Sequence, residues 1–391
     1  MPSKVLALLE QVRLKWSPIA LPPPDAYRNA SVVITGGTSG LGLATAVHAV
    51  NLGASSVTIT SRGSDKGTVA LAAISTQTNG RSEGVVRVAA LDMDSFASVV
   101  AFVDEVKGIR KEEGGVDYVF LNAGVIGTEF KMLESGWEQN LQVNVLSTAL
   151  IALLLLPTLK SQHPYRTSRG KPPSHIVTVG SSRHLDPDID AWLSYPEGVL
   201  SHYNSPAHFP SPTSGQLYAA TKLLQQYAVN ELAALALAPI PSSSPSPHTD
   251  IIAHDDAPLV LAVPEKKKPH VLLTTCCPGI VNTSLARGFR AQGNFATAAG
   301  IGAFQALLGK SPANGARTLV RAGWAGEGDH GRFIRFYGGS GAEYEARAGT
   351  CVTGEKGGAM QRRAWGEITA ALVRDVPEAR GALAELGWKR G

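Results

Sequence analysis

Short apolar segments alternate with helical segments along most of this chain of 391 residues, and that alternation limits the folds open to it. The helical segments between them include 43–53, which Gly53 closes, 95–110 and 136–160. Continuous apolar strands separated by helices indicate a parallel sheet that helices cover on both faces. The sequence therefore predicts an α/β fold with a doubly wound parallel sheet, in a single domain with insertions. The predicted strands are 31–35, 57–60, 85–91, 117–121, 175–180 and 270–275.

Several stretches depart from the alternation. Residues 161–174 are polar and are predicted to form a surface loop. Residues 185–214 are rich in proline and aromatic side chains, and 238–269 begins as a low-complexity linker, so we interpret both as insertions. Residues 1–30 are predicted to form an N-terminal helical extension, and 341–391 a C-terminal helical tail.

Charge and cysteine content exclude several kinds of partner. The formal net charge is only +4 and basic residues form no stripe with aromatics between them, so no nucleic-acid partner is expected. The three cysteines show no C-x-x-C spacing, which argues against a disulfide framework and a zinc site. We therefore expect no metal and a reducing, cytoplasmic location.

The longest apolar run, 149–156, is too short for a membrane span, which needs about 20 residues. It ends before Pro157, and we predict that it belongs to a buried helix. No clear membrane span is expected elsewhere. Peripheral membrane contact through the amphipathic segment 4–16 remains an alternative.

A glycine-rich loop, "TGGTSGLG" at 35–42, directly follows the first predicted strand and opens the first helix. A dinucleotide pyrophosphate binds where backbone N–H groups at a helix N-terminus can approach it closely. Glycines permit that approach, and two hydroxyls add donors. The predicted phosphate-binding residues are Gly36, Thr38, Ser39, Gly40, Leu41 and Gly42.

Three motifs in chain order resemble the short-chain dehydrogenase/reductase family. They are the glycine loop, "NAG" at 122–124 after the fourth strand, and Y-x-x-x-K at 218–222. The resemblance extends over residues 31–340 and includes retinol-dehydrogenase-like and fungal secondary-metabolism members. It implies a Rossmann fold whose catalytic domain binds NADP(H) and an oxidoreductase that interconverts alcohols and carbonyl compounds.

The resemblance assigns further cofactor-binding positions. It implies that Asp92 contacts the adenine amino group and that Asn122 steadies the sheet beside the cofactor. In the segment "PGIVNT", the backbone of Ile280 and Val281 and the hydroxyl of Thr283 are implied to meet the nicotinamide carboxamide. A helix N-cap is the alternative role for Asp92, although Asp94 or Ser95 suits that role better.

The second strand ends with Ser61 and Arg62, where NAD-preferring members of the family carry an acidic residue. An arginine can hold a ribose 2′-phosphate through charge-assisted hydrogen bonds, whereas a carboxylate would repel it. These two residues therefore favour NADP(H) as the cofactor. The alternative is that Arg62 is only a solvent-exposed side chain.

Tyr218 and Lys222 are predicted to share one helix face because they are four residues apart. Hydride transfer at a carbon–oxygen centre also moves a proton, and an adjacent ammonium lowers the pKa of a phenol from about 10 toward neutrality. We therefore predict that Tyr218 is the acid–base. By resemblance, Ser181 orients the substrate oxygen, with Ser182 as the competing candidate, and Asn144 anchors a water chain to the lysine, unless it is only a locally satisfied helix residue.

Other polar side chains carry weaker expectations. Lys160 and Tyr227 are predicted to be surface or packing residues, and His184 either touches substrate or lies in a polar cluster. The insertion 185–214 is expected to form a substrate wall or lid that, with 284–310, lines an apolar pocket. A hydrophobic small-molecule alcohol or ketone is therefore the expected substrate.

Two other functions remain open. One is a non-catalytic NADP-binding scaffold, against which the intact Ser181, Tyr218 and Lys222 count. The other is a nucleotide-sugar epimerase or dehydratase, for which the larger C-terminal substrate domain and the G-x-x-G-x-x-G loop are lacking. The long helices around 146–156 and 216–235 are candidates for pairing across a homodimer.

Overall fold

The computed structural model describes residues 19–109, 114–209, 215–237, 268–283, 285, 307–335 and 341–388. Most of the predicted extension 1–30, of the insertion 238–269 and of the segment 284–310 lies outside these residues. The strands are β1 (Ser31–Ile34), β2 (Ser56–Ser61), β3 (Val86–Ala90), β4 (Tyr118–Leu121), β5 (Ser174–Val179), β6 (Val271–Cys277) and β7 (Phe333–Arg335). The helices are α1 (Gly40–Asn51), α2 (Ser64–Thr78), α3 (Phe96–Gly108), α4 (Gln139–Ser168), α5 (Ile189–Leu193), α6 (Val199–Tyr203), α7 (Gln216–Leu237), α8 (Pro312–Gly323), α9 (Gly341–Cys351), α10 (Glu355–Asp375) and α11 (Pro377–Glu385).

All seven strands are parallel and form one sheet in the order β3-β2-β1-β4-β5-β6-β7. The predicted doubly wound fold is confirmed, and the six predicted strands are all present within a residue or two of their expected bounds. The seventh strand, β7, was not predicted because it is only three residues long. The strand order reverses between β1 and β4, and ligands of such sheets bind at the carboxyl edge beside this reversal.

Each face of the sheet is buried by its own set of helices. Along β1, Val32 and Ile34 face a core shared with α1, α2 and α8, while Val33 faces the core shared with α3, α4 and α7. This alternation follows from the two-residue period of a strand. Strands β1, β2, β4, β5 and β6 are therefore buried on both faces, whereas the edge strand β3 exposes Arg87 and Ala90.

The prediction of a surface loop over 161–174 is wrong for its first half. Helix α4 continues through Pro157 and Pro164 to Ser168. Its last turns are held by Arg166, which is fully buried and donates to the Asp117 carboxylate (2.7 Å) and to the Gly114 and Pro172 carbonyls. This buried ion pair fixes the helix end on the sheet, and nothing in the local sequence signals it.

Helix α4 is long and apolar enough to span a membrane by length and composition alone. However, 94% of its most apolar 18-residue window is buried within the protein, as in the core helix of a globular domain. The prediction that 149–156 belongs to a buried helix is therefore confirmed.

The tail folds back over the helices that cover one face of the sheet. Helix α10 packs on α7, and α11 packs on α4. The faces of α4 and α7 that were candidates for pairing across a homodimer therefore meet the chain's own tail. Polar contacts reinforce this packing, since Gln361 on α10 bonds to both Asn230 and Glu231 on α7 (2.8 and 2.7 Å).

The insertion 185–214, described as far as residue 209, folds as two short helices rather than as an irregular loop. Trp192 of α5 and Leu200 of α6 are buried in the main core. The Glu367 carboxylate of α10 accepts a hydrogen bond from the Leu200 amide (2.9 Å), and Arg363 of α10 donates to the Tyr195 carbonyl. The tail thus fixes this insertion from behind.

Candidate active site

Side chains from successive strand ends meet at one edge of the sheet because all seven strands are parallel. The glycine loop follows β1, Arg62 follows β2, Asp92 follows β3, Asn122 follows β4 and Ser181 follows β5. These residues therefore all lie at the carboxyl edge of the sheet.

The glycine loop has the geometry of an anion cradle. Gly36 and Gly40 have positive φ angles of 67° and 55°, which L side chains rarely adopt. Helix α1 begins at Gly40, and the Ser39 side chain makes no capping hydrogen bond to it. The first N–H groups of α1 thus have no side-chain cap from Ser39, and the helix dipole favours an anion there. The loop therefore fits a dinucleotide pyrophosphate.

Two glycines of the loop serve packing. A Cβ on Gly42 would overlap the Gly36 carbonyl and the Asn122 amide, so Gly42 allows the loop to close on β4. A Cβ on Gly37, which is not among the predicted phosphate-binding residues, would overlap the Ile59 side chain at 2.5 Å. Among the four glycines of the loop, only Gly40 faces Thr283, since a Cβ added there would lie 3.2 Å from the Thr283 side chain.

Asn122 ties the loop to the sheet, as expected of a steadying residue. Its side-chain amide donates to the carbonyls of Thr35 (2.9 Å) and Gly36 (3.2 Å). The Thr35 hydroxyl in turn accepts from the backbone N–H groups of Asn122 and Ala123, both at 3.0 Å. Thr35 was missed because a threonine inside a strand carries no distinguishing signal.

The residues at the end of β2 differ in exposure. The Ser61 hydroxyl is buried in its own turn, where it donates to the Gly63 carbonyl (2.6 Å). The Arg62 side chain is exposed beside the glycine loop, since β2 is the direct neighbour of β1. Arg62 is therefore the residue of this pair whose charge can reach a bound ligand.

Asp92 is half-buried, and its carboxylate accepts from the Asp94 amide (3.1 Å) in a tight turn. The N-cap of α3 is Ser95, which accepts from the Ser98 amide (3.3 Å). The N-cap alternative for Asp92 is thus wrong.

The segment after β6 faces the glycine loop across the site. Thr283 lies opposite Gly40, and Val281 forms an isolated parallel β-bridge with Lys310. The Ile280 carbonyl accepts from the Lys310 amide (2.9 Å), which anchors this segment to the chain that precedes α8.

Tyr218 and Ser181 meet at the centre of the carboxyl edge. The Ser181 hydroxyl lies close enough to the Tyr218 phenol to lower its pKa, whereas the Ser182 hydroxyl lies beside the Cys277 thiol and lowers the pKa of that thiol. The structure therefore pairs Ser181, not the competing Ser182, with Tyr218. Burial is nevertheless the largest effect on Tyr218 and raises its pKa to about 12.

Lys222 lies 5.6 Å from the centroid of the Tyr218 ring. Its ammonium donates to the Val179 carbonyl (2.8 Å) and to the Gln225 side-chain oxygen (3.0 Å). Burial lowers the pKa of Lys222 to about 8. The expected lowering of the Tyr218 pKa by Lys222 is thus not seen, because burial outweighs an ammonium that points toward β5 and Gln225.

Asn144 lies in a π-helical turn, Gln142–Ser147, within α4. Such turns are rare and often occur at functional sites. The Asn144 amide accepts from the Val125 N–H and donates to the Val125 carbonyl, both at 2.9 Å, and it donates to the Thr221 hydroxyl (3.2 Å). The alternative of a locally satisfied helix residue is therefore wrong, since these partners lie on the β4 loop and on α7.

His184 holds the backbone of Ser181 in place through a hydrogen bond. It is fully buried, which lowers its pKa to about 4 and keeps it neutral at pH 7. One tautomer satisfies both ring nitrogens: Nδ1–H donates to the Ser181 carbonyl (2.7 Å), and Nε2 accepts from the Tyr344 hydroxyl of α9 (3.3 Å). Of its two expected roles, the structure supports the polar cluster.

Lys160 and Tyr227 are both buried packing residues. The Lys160 ammonium donates to the Leu235 carbonyl (2.6 Å), and the Tyr227 hydroxyl donates to the Cys351 carbonyl (2.5 Å). The prediction of a surface or packing role is confirmed for both.

Comparisons with known proteins match this chain to short chain dehydrogenases. A family model described as short chain dehydrogenase matches residues 30–190. The chain is 30% identical over 272 residues to the short chain dehydrogenase yanD of Aspergillus niger, which covers 68% of this chain and 70% of that protein. It is 28% identical over 362 residues to the short-chain dehydrogenase/reductase phmF of Phaeosphaeria nodorum, covering 92% of this chain and 91% of the relative.

Solved structures share the fold. A short-chain dehydrogenase/reductase of unknown function from Caenorhabditis elegans superposes with a TM-score of 0.52 at 17% identity, over 81% of this chain and 97% of that one. A putative short chain dehydrogenase from Pseudomonas syringae gives a TM-score of 0.51 at 16% identity, over 82% and 99% of the two chains.

Proposed function

Because this chain belongs to the short-chain dehydrogenase/reductase family, whose members bind nicotinamide cofactors, we propose that it is an NADP(H)-dependent oxidoreductase of a hydrophobic small molecule. It interconverts a primary or secondary alcohol and the matching aldehyde or ketone. The observation that carries this proposal is the convergence of Ser181, Tyr218 and Lys222 beside the glycine loop.

The chain's own residues bind the substrate oxygen and donate a proton to it. In the reductive direction the Ser181 hydroxyl holds the substrate oxygen, and the Tyr218 phenol donates its proton to that oxygen. With a pKa raised to about 12, Tyr218 carries this proton throughout the physiological pH range. The Lys222 ammonium, 5.6 Å from the Tyr218 ring centroid, would attract the phenolate that remains, although burial outweighs this attraction in the free protein. A bound nicotinamide would supply or accept the hydride.

The proposed NADP(H) preference rests on Arg62. Its exposed guanidinium stands at the end of β2, on the strand that pairs with β1, which leads into the glycine loop. A 2′-phosphate there would receive charge-assisted hydrogen bonds. Gly36, Thr38, Ser39, Gly40, Leu41 and Gly42 would hold the pyrophosphate, with Ser61, Asp92 and Asn122 shaping the adenosine side and Ile280, Val281 and Thr283 the nicotinamide side.

An apolar substrate is supported by aromatic side chains at the carboxyl edge. Phe130, in the loop after β4, packs edge to face with Phe209 of the insertion, with ring centroids 5.6 Å apart. Both side chains are half-buried, so they present apolar surface beside the strand ends. A charged substrate would lose hydration there without a matching partner.

A ketone screen tests the activity, and Tyr218→Phe tests the assigned acid. Aliphatic, aromatic and polyketide-like ketones are incubated with the purified protein and NADPH, and NADPH oxidation is followed at 340 nm. On an active substrate Tyr218→Phe should lower kcat by about 10²- to 10⁴-fold, because it removes the proton donor. Tyr227→Phe is the matched control on the same helix and should keep its turnover. Undiminished turnover in Tyr218→Phe would remove the phenol from the mechanism.

We place the enzyme in the cytoplasm. Cys276, Cys277 and Cys351 are all free thiols buried in the fold, and a reducing compartment preserves them. Imaging of a fluorescent fusion in the source cells tests this, and a secreted or luminal signal would contradict it.

A further inference from the structure

A side-chain amide joins the ammonium of Lys222 to the helix that carries Asn144. The Gln225 side-chain oxygen accepts from the Lys222 Nζ (3.0 Å), and the Gln225 side-chain nitrogen donates to the Asn144 carbonyl (3.0 Å). All three residues are buried, with exposed fractions of 2% for Gln225, 5% for Lys222 and 0% for Asn144. The contact therefore lies inside the protein.

The chemistry of its two partners fixes the orientation of this amide. An ammonium only donates and a backbone carbonyl only accepts, so the amide oxygen must face Lys222 and the NH₂ group must face Asn144. Flipping the amide would break both hydrogen bonds in a buried site, which costs the full desolvation of each group. Gln225 is thus a rigid link between α7 and the π-helical turn of α4.

The Gln225 side-chain amide lies between Asn144 and Lys222, where the family resemblance implies a chain of water molecules. A bridging water can reorient and exchange, whereas this amide has one allowed orientation. Resting on the function proposed above, we propose that Gln225 is a positioning residue that takes the place of the water chain and holds the Lys222 ammonium in its catalytic orientation.

Few titratable groups compete for Lys222 among the residues that the structure describes. Tyr218 precedes it on α7, and the thiols of Cys276 and Cys277 face it from β6. From β5 it meets the uncharged Val179 carbonyl, and on α7 it meets the uncharged Gln225 amide, which in turn bonds to the Asn144 carbonyl of α4. A change of charge at position 225 should therefore act directly on the ammonium.

Lysine side-chain NMR provides a direct test that needs no substrate. The protein is labelled with ¹³C,¹⁵N-lysine, and the signal that disappears in Lys222→Met is assigned to Lys222. The pKa of Lys222 is then measured from the pH dependence of this signal in the wild type and in each variant. Gln225→Glu should raise the Lys222 pKa by about one unit or more, since a carboxylate replaces a neutral acceptor. Gln225→Leu should lower it, since the ammonium loses an acceptor while burial persists.

Gln226→Leu is the matched control. Gln226 is the next residue of α7 and equally buried, but its amide donates to Asn230 (2.8 Å) instead of bridging to Lys222. Its Lys222 titration should overlay that of the wild type. The same Lys222 pKa in Gln225→Glu and in the wild type would overturn the proposal. If Gln225→Leu does not fold, the titration of Gln225→Glu is the deciding measurement.

Kinetics on an active ketone then separate this proposal from the proposed function. Gln225→Leu should lower kcat and shift the pH–rate profile to lower pH, whereas a purely structural role would leave the profile in place. If the wild type reduces no ketone at all, the proposed function fails while the NMR titration still decides the role of Gln225.

Discussion

Burial sets the charge states of the two residues at the centre of the site. It raises the pKa of the Tyr218 phenol to about 12 and lowers that of the Lys222 ammonium to about 8. Each shift favours the neutral form, as desolvation requires. Tyr218 is therefore ready to donate a proton, while the charge on Lys222 is the one that physiological pH can change.

This difference predicts a pH dependence for carbonyl reduction. Lys222 loses its proton as the pH rises through about 8, so kcat/KM should be level below pH 7 and fall above pH 8, while Tyr218 stays protonated. Steady-state kinetics with NADPH between pH 6 and 10 measure the profile. Burial also lowers the pKa of Lys310 to about 8, so Lys310→Met is the control and should keep the same falling limb. A level profile up to pH 10 would contradict the assignment.

Arg62 should determine cofactor choice. Arg62→Ala should weaken NADPH binding by about tenfold to a hundredfold, the worth of a hydrogen bond to a charged group, and leave NADH binding unchanged. Fluorescence titration with both cofactors measures the two affinities. Arg81→Ala removes a guanidinium beyond the far end of α2 and serves as the control. Tighter binding of NADH than of NADPH by the native protein would refute the NADP(H) preference.

Helix α9 contributes to the site through the half-buried Tyr344, which contacts the buried His184. The Tyr344 ring stacks on Phe333 of β7 (centroids 5.4 Å apart), and its hydroxyl bonds to the histidine that holds the Ser181 carbonyl. An element of the tail thereby supports the turn on which Ser181 stands.

Tyr344→Phe should therefore affect both stability and catalysis. Loss of the hydrogen bond to His184 should lower the free energy of unfolding by about 1 kcal/mol, measured by urea denaturation. The turnover number should fall with an unchanged KM for NADPH, because the turn bearing Ser181 loosens while the cofactor residues stay in place. Tyr165→Phe, at a half-exposed ring on α4, should change neither quantity. Wild-type kcat in Tyr344→Phe would show that α9 only packs.

At the scale of the whole molecule, the tail covers the two helices that were candidates for a homodimer interface. Met360, Trp365 and Leu372 of α10 are buried in the core that includes α7. Since α4 and α7 already pack against α11 and α10, we expect the intact protein to be a monomer of 41.0 kDa in light scattering after size exclusion. A dimeric mass would show that another face forms the interface.

Trp365 tests how much the tail stabilises the fold. Trp365→Ala should lower the free energy of unfolding by about 3–5 kcal/mol, because it leaves a cavity between α10 and α7. Partial opening of the tail should also expose apolar surface and promote association. Arg362→Ala, an exposed change one turn away on the same helix, should be neutral in both assays. Equal stability of the two variants would mean that the tail is dispensable.

The sequence by itself determined the features that depend on local spacing. The strand–helix alternation predicted the parallel sheet, and the loop at 35–42 with Tyr218 and Lys222 predicted where the site lies, because strand and helix periods are properties of a few consecutive residues. Gln225 was within reach of the same reasoning, since it follows Lys222 by three positions on one helix face.

Tertiary structure decided the contacts between distant segments. Gln225 meets Asn144 across 81 residues, Tyr344 meets His184 across 160, and Arg166 meets Asp117 across 49. The burial that raises one pKa and lowers the other likewise comes from packing among many elements. Such contacts depend on how whole helices and strands pack, so no local pattern in the chain encodes them.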